Sequence, residues 1–319
     1  MSAGYGLSLA LAADGTVRAW GDDSWGGLGL GRSLASPSPA AVAGLTGVTA
    51  VAAGASFTAV LKADGTVWTW GSNEEGQLGD GSFVSRSIPV QVVGLSEVVQ
   101  ISAGRAHMMA RRSDGSVWTW GANYFGEAGD DVPARSTPAR VAGVFNAVEI
   151  AAGSYHSLAR TSDGAVLAWG RNDDGQLGDG TLAEPYRGRF QPQRVAGLDG
   201  VDQISAGGFF SLALKSDGSV WAWGNNERGA VGDGTTTTRL TPTRVSGLGG
   251  VRQVSAGYWY SAALRNDGSV WAWGDGGSGQ LGDGFYDVRL LPVQLLGMPP
   301  TVSRVAAGFL HSFALTNDG

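Results

Sequence analysis

Residues 64–81 read DGTVWTWGSNEEGQLGDG, and the reading of this stretch decides the fold. A glycine-rich loop after a strand-like run invites a phosphate-binding interpretation. The stretch is not unique. Copies begin at Asp114 (DGSVWTWGANYFGEAGDD), Asp163 (DGAVLAWGRNDDGQLGDG), Asp217 (DGSVWAWGNNERGAVGDG) and Asp267 (DGSVWAWGDGGSGQLGDG), with a looser one at Asp14. The glycine closing each copy's Trp-Gly falls at Gly21, Gly71, Gly121, Gly170, Gly224 and Gly274, at intervals of 50, 50, 49, 54 and 50 residues. An Ala-Gly pair ending a short apolar run keeps the same register at Gly4, Gly54, Gly104, Gly153, Gly207, Gly257 and Gly308. Two markers in one register make this a repeat protein. A loop that recurs six times is read as architecture, not as six phosphate sites.

Each repeat resolves into four short strands. In residues 48–97, VTAVAAG is a small apolar run suited to a strand buried on both faces. FTAVLKADG turns at Asp64-Gly65, a hairpin dipeptide, into TVWTW. The period of two puts Trp68 and Trp70 on one face and Val67 and Thr69 on the other. Pro89, in RSIPVQVVGL, suits an edge strand because proline has no N–H to donate. Four strands repeated every fifty residues, smallest side chains first, describe an all-β propeller with the first strand at the axis, the tryptophans between blades and the proline strand at the rim. The expected units are a partial repeat at 1–47, full ones at 48–97, 98–146, 147–199, 200–249 and 250–300, and a partial one at 301–319.

Composition fits one such domain. Hydrophobic residues make up 43% and charged residues 16%, and the 53 glycines fall at fixed offsets, as turns do. No apolar run is long enough for a membrane-spanning helix. Without cysteine there is no disulfide, thiolate metal site or thiol nucleophile. A net charge of −6 with no basic cluster argues against a nucleic-acid surface. The start, Met1-Ser2-Ala3-Gly4, does not read as a secretory leader. Both a cytoplasmic location and export with a leader removed stay open.

The pattern Trp-Gly-x-Asn-x-x-Gly-Gln-Leu-Gly-Asp-Gly, as at Trp70 to Gly81, resembles the signature of the regulator of chromosome condensation repeat family, as does the Ala-Gly-x-x-His-Ser-x-Ala-Leu stretch at Ala307 to Leu315. The resemblance runs along essentially the whole chain, implies a bacterial member, and implies seven blades. Strand counting gives six axis, six third and six fourth strands but seven second strands. A seven-bladed ring therefore has incomplete terminal blades. The alternative is a six-bladed closed ring in which the strand near Val302 joins the N-terminal blade. Unpaired terminal strands could also recruit a second copy.

His107, His156 and His311 all follow a repeat glycine by three residues, where other repeats have Leu7, Phe57, Phe210 and Tyr260. A slot shared with phenylalanine and leucine reads as packing rather than metal ligation. Ser8, Ser157, Ser211, Ser261 and Ser312 recur beside it and read as structural hydroxyls. No catalytic residue, metal or cofactor is expected. Recognition is sought where repeats differ. The loops between first and second strands carry Tyr5, Arg105, Tyr155, Phe209, Tyr258, Trp259 and Phe309. The outer loops add Tyr124 and Phe125, and the longest repeat adds Tyr186, Arg187 and Arg189. Exposed aromatic and arginine side chains on a rigid rim anchor protein interfaces. The leading expectation is a non-enzymatic scaffold that binds another protein, a use with precedent in a similar bacterial β-lactamase-inhibitory propeller. Alternatives are a guanine nucleotide exchange factor for a small GTPase, as in the family's founding member, and a fibre subunit. A light sensor like the plant UV-B photoreceptor is disfavoured, because the Gly-Trp-Arg-His-Thr type motif of that resemblance is missing and the nearest stretch, Gly104-Arg105-Ala106-His107, lacks its tryptophan.

Overall fold

The computed structural model describes residues 1–184 and 187–317. Among them there is no helix, and six four-stranded antiparallel sheets follow one another along the chain at 2–41, 48–91, 98–140, 147–194, 201–244 and 251–294. A seventh sheet has two strands, Val302–Ala307 and Ser312–Thr316. The molecule is thus a six-bladed propeller of four-stranded blades, as the alternative expectation had it, and not a set of seven such blades. One detail of that alternative is corrected. The strand at Val302 does not join the first blade, because that blade has its own axis strand, Ser2–Ala3. The two-stranded sheet stands between the sixth and first blades and bonds to both: Gln253 Oε1 accepts from Val305 N at 3.0 Å, and Ser8 Oγ meets His311 Nε2 at 3.1 Å.

Within a blade, strands pair in sequence order, with Thr58 opposite Trp70 and Thr69 opposite Val90 in the second. The proline strand is outermost, where its missing N–H costs nothing. The Trp-x-Trp strand packs both faces. Trp70 joins Leu7, Leu9 and Leu28 of the preceding blade, while Val67 faces Ile101 and Trp120 of the next. Trp70, Trp120, Trp169, Trp223 and Trp273 are fully buried. Each indole N–H donates 2.8–3.0 Å to a backbone carbonyl in the previous blade's outer loop (Gly27, Gln77, Glu127, Gln176 and Ala230). This explains one of the conspicuous glycines. At Gly79, φ is +66° and a Cβ would lie 2.7 Å from Trp120 Nε1, so the loop cannot close over the indole with a side chain there.

Blades are also linked at the axis. Gln100, Gln203 and Gln253 each use the side-chain amide as a piece of backbone: the oxygen accepts from Ile150, Val254 or Val305 N, and the nitrogen donates to the same residue's carbonyl. Ser2, Ser102 and Ser205 accept from the next blade's Ala53, Ala152 and Ala256 N, and Ser255 from Ala307 N of the two-stranded sheet, at 2.9–3.0 Å. These side-chain bonds satisfy N–H groups that diverging axis strands leave unpaired. Ser2 makes the same link as its three counterparts, so the two-residue strand occupies the axis position of the first blade.

Candidate functional site

The histidine slot is a third inter-blade link. His107 Nε2 lies 3.1 Å from Ser157 Oγ, and His156 Nε2 2.9 Å from Ser211 Oγ, each in the following blade. Each serine hydroxyl has one proton and gives it to a carbonyl, of Glu127 and Gln176 respectively. The imidazoles must therefore carry their proton on Nε2. Nδ1 is buried without a partner in both. The ring lies against the marker glycine three residues earlier, where a Cβ on Gly104 would meet it at 2.2 Å. The Ala-Gly marker thus exists to let an aromatic ring lie on bare backbone. Burial pushes His107 down to about 4 and, with the charges of His107 and Arg171 behind it, His156 to about 3. Among the described residues, no three His, Cys, Asp or Glu side chains gather as a metal site would need.

At one end of the ring, the loops between first and second strands surround a cavity of about 250 Å³ whose wall is mostly alanine and glycine. Beside it the variable residues form one continuous arc. Tyr5 stacks on Phe309 at 4.1 Å, Phe309 touches Tyr258 at 4.3 Å, and Tyr258 meets Phe209 at 5.4 Å. Trp259 stacks on Phe209 at 4.8 Å, and Tyr155 links Phe209 to Phe125 at 5.9 and 5.4 Å. Local sequence makes room for this. Gly208 lies under the Tyr258 ring, and a Cβ there would sit 2.8 Å from it. Most of the rings are half-buried against one another, whereas Phe209 is buried outright. The arc is therefore partly its own support and partly surface.

Sequence reasoning missed the residue that organises one end of the arc. The Arg171 guanidinium is 4.9–5.5 Å from the rings of Phe125, Tyr155 and Phe209, and pairs with Asp173 and Asp174. A signal was available: the slot after Trp-Gly holds Asp22, Ser72, Ala122, Asn225 and Asp275 elsewhere, and a cation only at Arg171. Arg105 lies over Tyr155 at 5.3 Å and joins the arc, and Tyr124 stands exposed beyond it, its hydroxyl donating to Glu75 Oε1 at 2.6 Å. The structure does not bring Arg187 and Arg189 to this group. Arg189 takes the slot of Arg86, Arg135, Arg239 and Arg289, each ion-paired with an aspartate of its own blade, here Asp179 at 3.5 Å. It is scaffold. Arg187 is exposed beside it at the rim, and Tyr186 lies outside the described residues.

The RCC1-like domain family model matches residues 1–250, and models of the regulator of chromosome condensation (RCC1) repeat match 251–280 and 267–315. A comparison with curated proteins returned no match. Among solved structures, human WBSCR16 is similar at 26% identity and a TM-score of 0.86, covering 99% of this chain and 85% of that one. Prp20p of Saccharomyces cerevisiae, described with its binding to Gsp1p and histones, is similar at 24% identity and a TM-score of 0.87, covering 99% and 82%. The same yeast protein bound to Kap60 is similar at 24% and 0.85, covering 99% and 80%.

Proposed function

The chain belongs to the RCC1-like domain family, and on that premise we propose that it is a non-enzymatic scaffold that binds another protein through the aromatic face beside its axial cavity. One observation carries the reading: rings from the two-stranded sheet and from blades one, three, four, five and six converge on a single arc, although no strand of the fold requires aromatics there. The similar yeast protein, described with two kinds of protein partner, makes such use of the fold plausible. An exchange-factor role has only fold likeness behind it, and nucleotide release from a panel of small GTPases tests it directly. Partner capture is the main test. Trp259→Ala and Phe309→Ala each cost about 2 kcal/mol of affinity if these rings are anchors. Capture of a stoichiometric partner that survives both changes refutes the reading.

Self-association is a second reading, favoured by the two-stranded sheet. Among the described residues, Ser312–Thr316 has no third strand on its outer edge. Trp20 meets Phe313 of this sheet edge-on at 6.1 Å. Sedimentation that stays monomeric across concentration excludes it.

A further inference from the structure

Next to the arc, the loop face holds a second cavity, of about 300 Å³. Trp25, Tyr124 and Tyr155 supply aromatic walls, Glu74 and Glu75 stand in the lining, and Arg105 marks the border with the arc. Glu127 also lines it, although the residue is only 1% exposed. Its slot is occupied by glutamine at Gln77, Gln176 and Gln280. Gln77 uses both ends of its amide: Oε1 accepts from Glu75 N at 2.9 Å and Nε2 donates to Ser72 Oγ at 3.4 Å. Glu127 keeps the first bond, with Oε2 accepting from Phe125 N at 2.7 Å. Its second oxygen stands where the glutamines carry their amide nitrogen; the backbone N–H groups of Glu127 and Tyr124 also face the carboxyl, and burial outweighs them. Burial pushes this carboxyl up to about 7. A carboxylate buried this deeply is costly unless a cation or further donors meet it.

We propose that this cavity takes an arginine side chain presented by the partner. Three carboxylates face it against one cation, and that cation, Arg105, is turned onto the Tyr155 ring and makes no ion pair among the described residues. A guanidinium satisfies every wall at once. Its planar face stacks on Trp25 or Tyr124, and its N–H groups reach both Glu127 Oε1 and a rim carboxylate. A lysine ammonium has no such face and binds more weakly. The volume lies at the small end of ligand-sized clefts, suited to one side chain. The partner then presents an apolar anchor to the arc and an arginine one side chain away. This inference rests on the protein-binding reading and narrows the partner's chemistry.

The test uses the intact chain and N-acetyl-L-arginine methylamide, followed by the Trp25 indole resonance in a tryptophan-labelled sample. The expected result is a saturable shift, weaker with the lysine analogue and absent with the neutral norleucine analogue. At pH 8, where the Glu127 carboxyl is ionised, Glu127→Gln, the residue used in the same slot of three other blades, should weaken binding about tenfold, as loss of one charge-assisted hydrogen bond does. Equal response to norleucine, or unchanged affinity in Glu127→Gln, overturns the proposal. If Trp259→Ala abolishes partner capture while Glu127→Gln leaves arginine binding intact, this inference fails and the protein-binding reading stands. If arginine binding behaves as expected but capture ignores the arc, the reverse holds.

Discussion

Exchanging both buried histidines for phenylalanine should remove most of the protein's sensitivity to mild acid. His107 and His156 stay neutral in the fold, at about 4 and about 3, against an ordinary value of 6.5, because Nδ1 is buried with no acceptor to receive a proton's charge. The sign follows from proton counting. Between pH 6.5 and about 4 the unfolded chain binds protons at these rings and the folded one does not, so stability present above pH 6.5 is lost as pH falls. From pH 7 to pH 5 each ring accounts for about 2 kcal/mol, and the pair for about 4 kcal/mol. Phenylalanine is the right exchange, because Phe57 and Phe210 fill the same slot fully buried, and the next blade's serine, Ser261, is satisfied by the Ala230 carbonyl. Urea unfolding of the wild type and of His107→Phe/His156→Phe at pH 7, 6 and 5 gives the two slopes. The wild type should lose about 4 kcal/mol more than the double variant across that range. Parallel profiles, within about 0.5 kcal/mol, refute the claim that these imidazoles are held neutral by burial.

Glu127 has the opposite sign. Its fold favours the protonated acid, so this contribution to stability is present below pH 4.5 and lost as pH rises through about 7, and Glu127→Gln should gain up to about 3 kcal/mol on the wild type between pH 4.5 and 8 in urea titrations. The outer-loop glycines should divide by what they face. Gly79→Ala, at φ +66° and 2.7 Å from Trp120, should cost about 3 kcal/mol or more, whereas Gly81→Ala, at φ +83° with nothing within 4 Å, should cost only the left-handed penalty of about 1 kcal/mol. Equal losses at the two positions, read by thermal or urea unfolding, contradict the account of the indole contact.

The repeat, the strand order and the place of each tryptophan were legible in the sequence, because a blade is built from neighbours in the chain: a hairpin at Asp64-Gly65, a period-two strand at Trp68 and Trp70, and an edge strand marked by Pro89. At the histidines and serines, recurrence pointed to the scaffold, and the bonds found there run between neighbouring blades. Arg189 stands apart from the arc, paired with Asp179, a recurring partner as visible in the sequence as the arginine itself. Ring closure was not legible. Two residues, Ser2 and Ala3, carry too little hydrophobic pattern to announce a strand, and their role is fixed by Ala53 in the next blade. The functional face divides in the same way. The sequence named every ring of the arc but could not place Arg171 against them or turn Glu127 toward Tyr124 and Trp25. Local periodicity is set by pairing along the chain, and the sequence determined that by itself. Which side chains meet across blades, and which carboxylate is buried facing a neighbour's rings, depends on how wedges fifty residues apart close around one axis, and only the tertiary structure decided that.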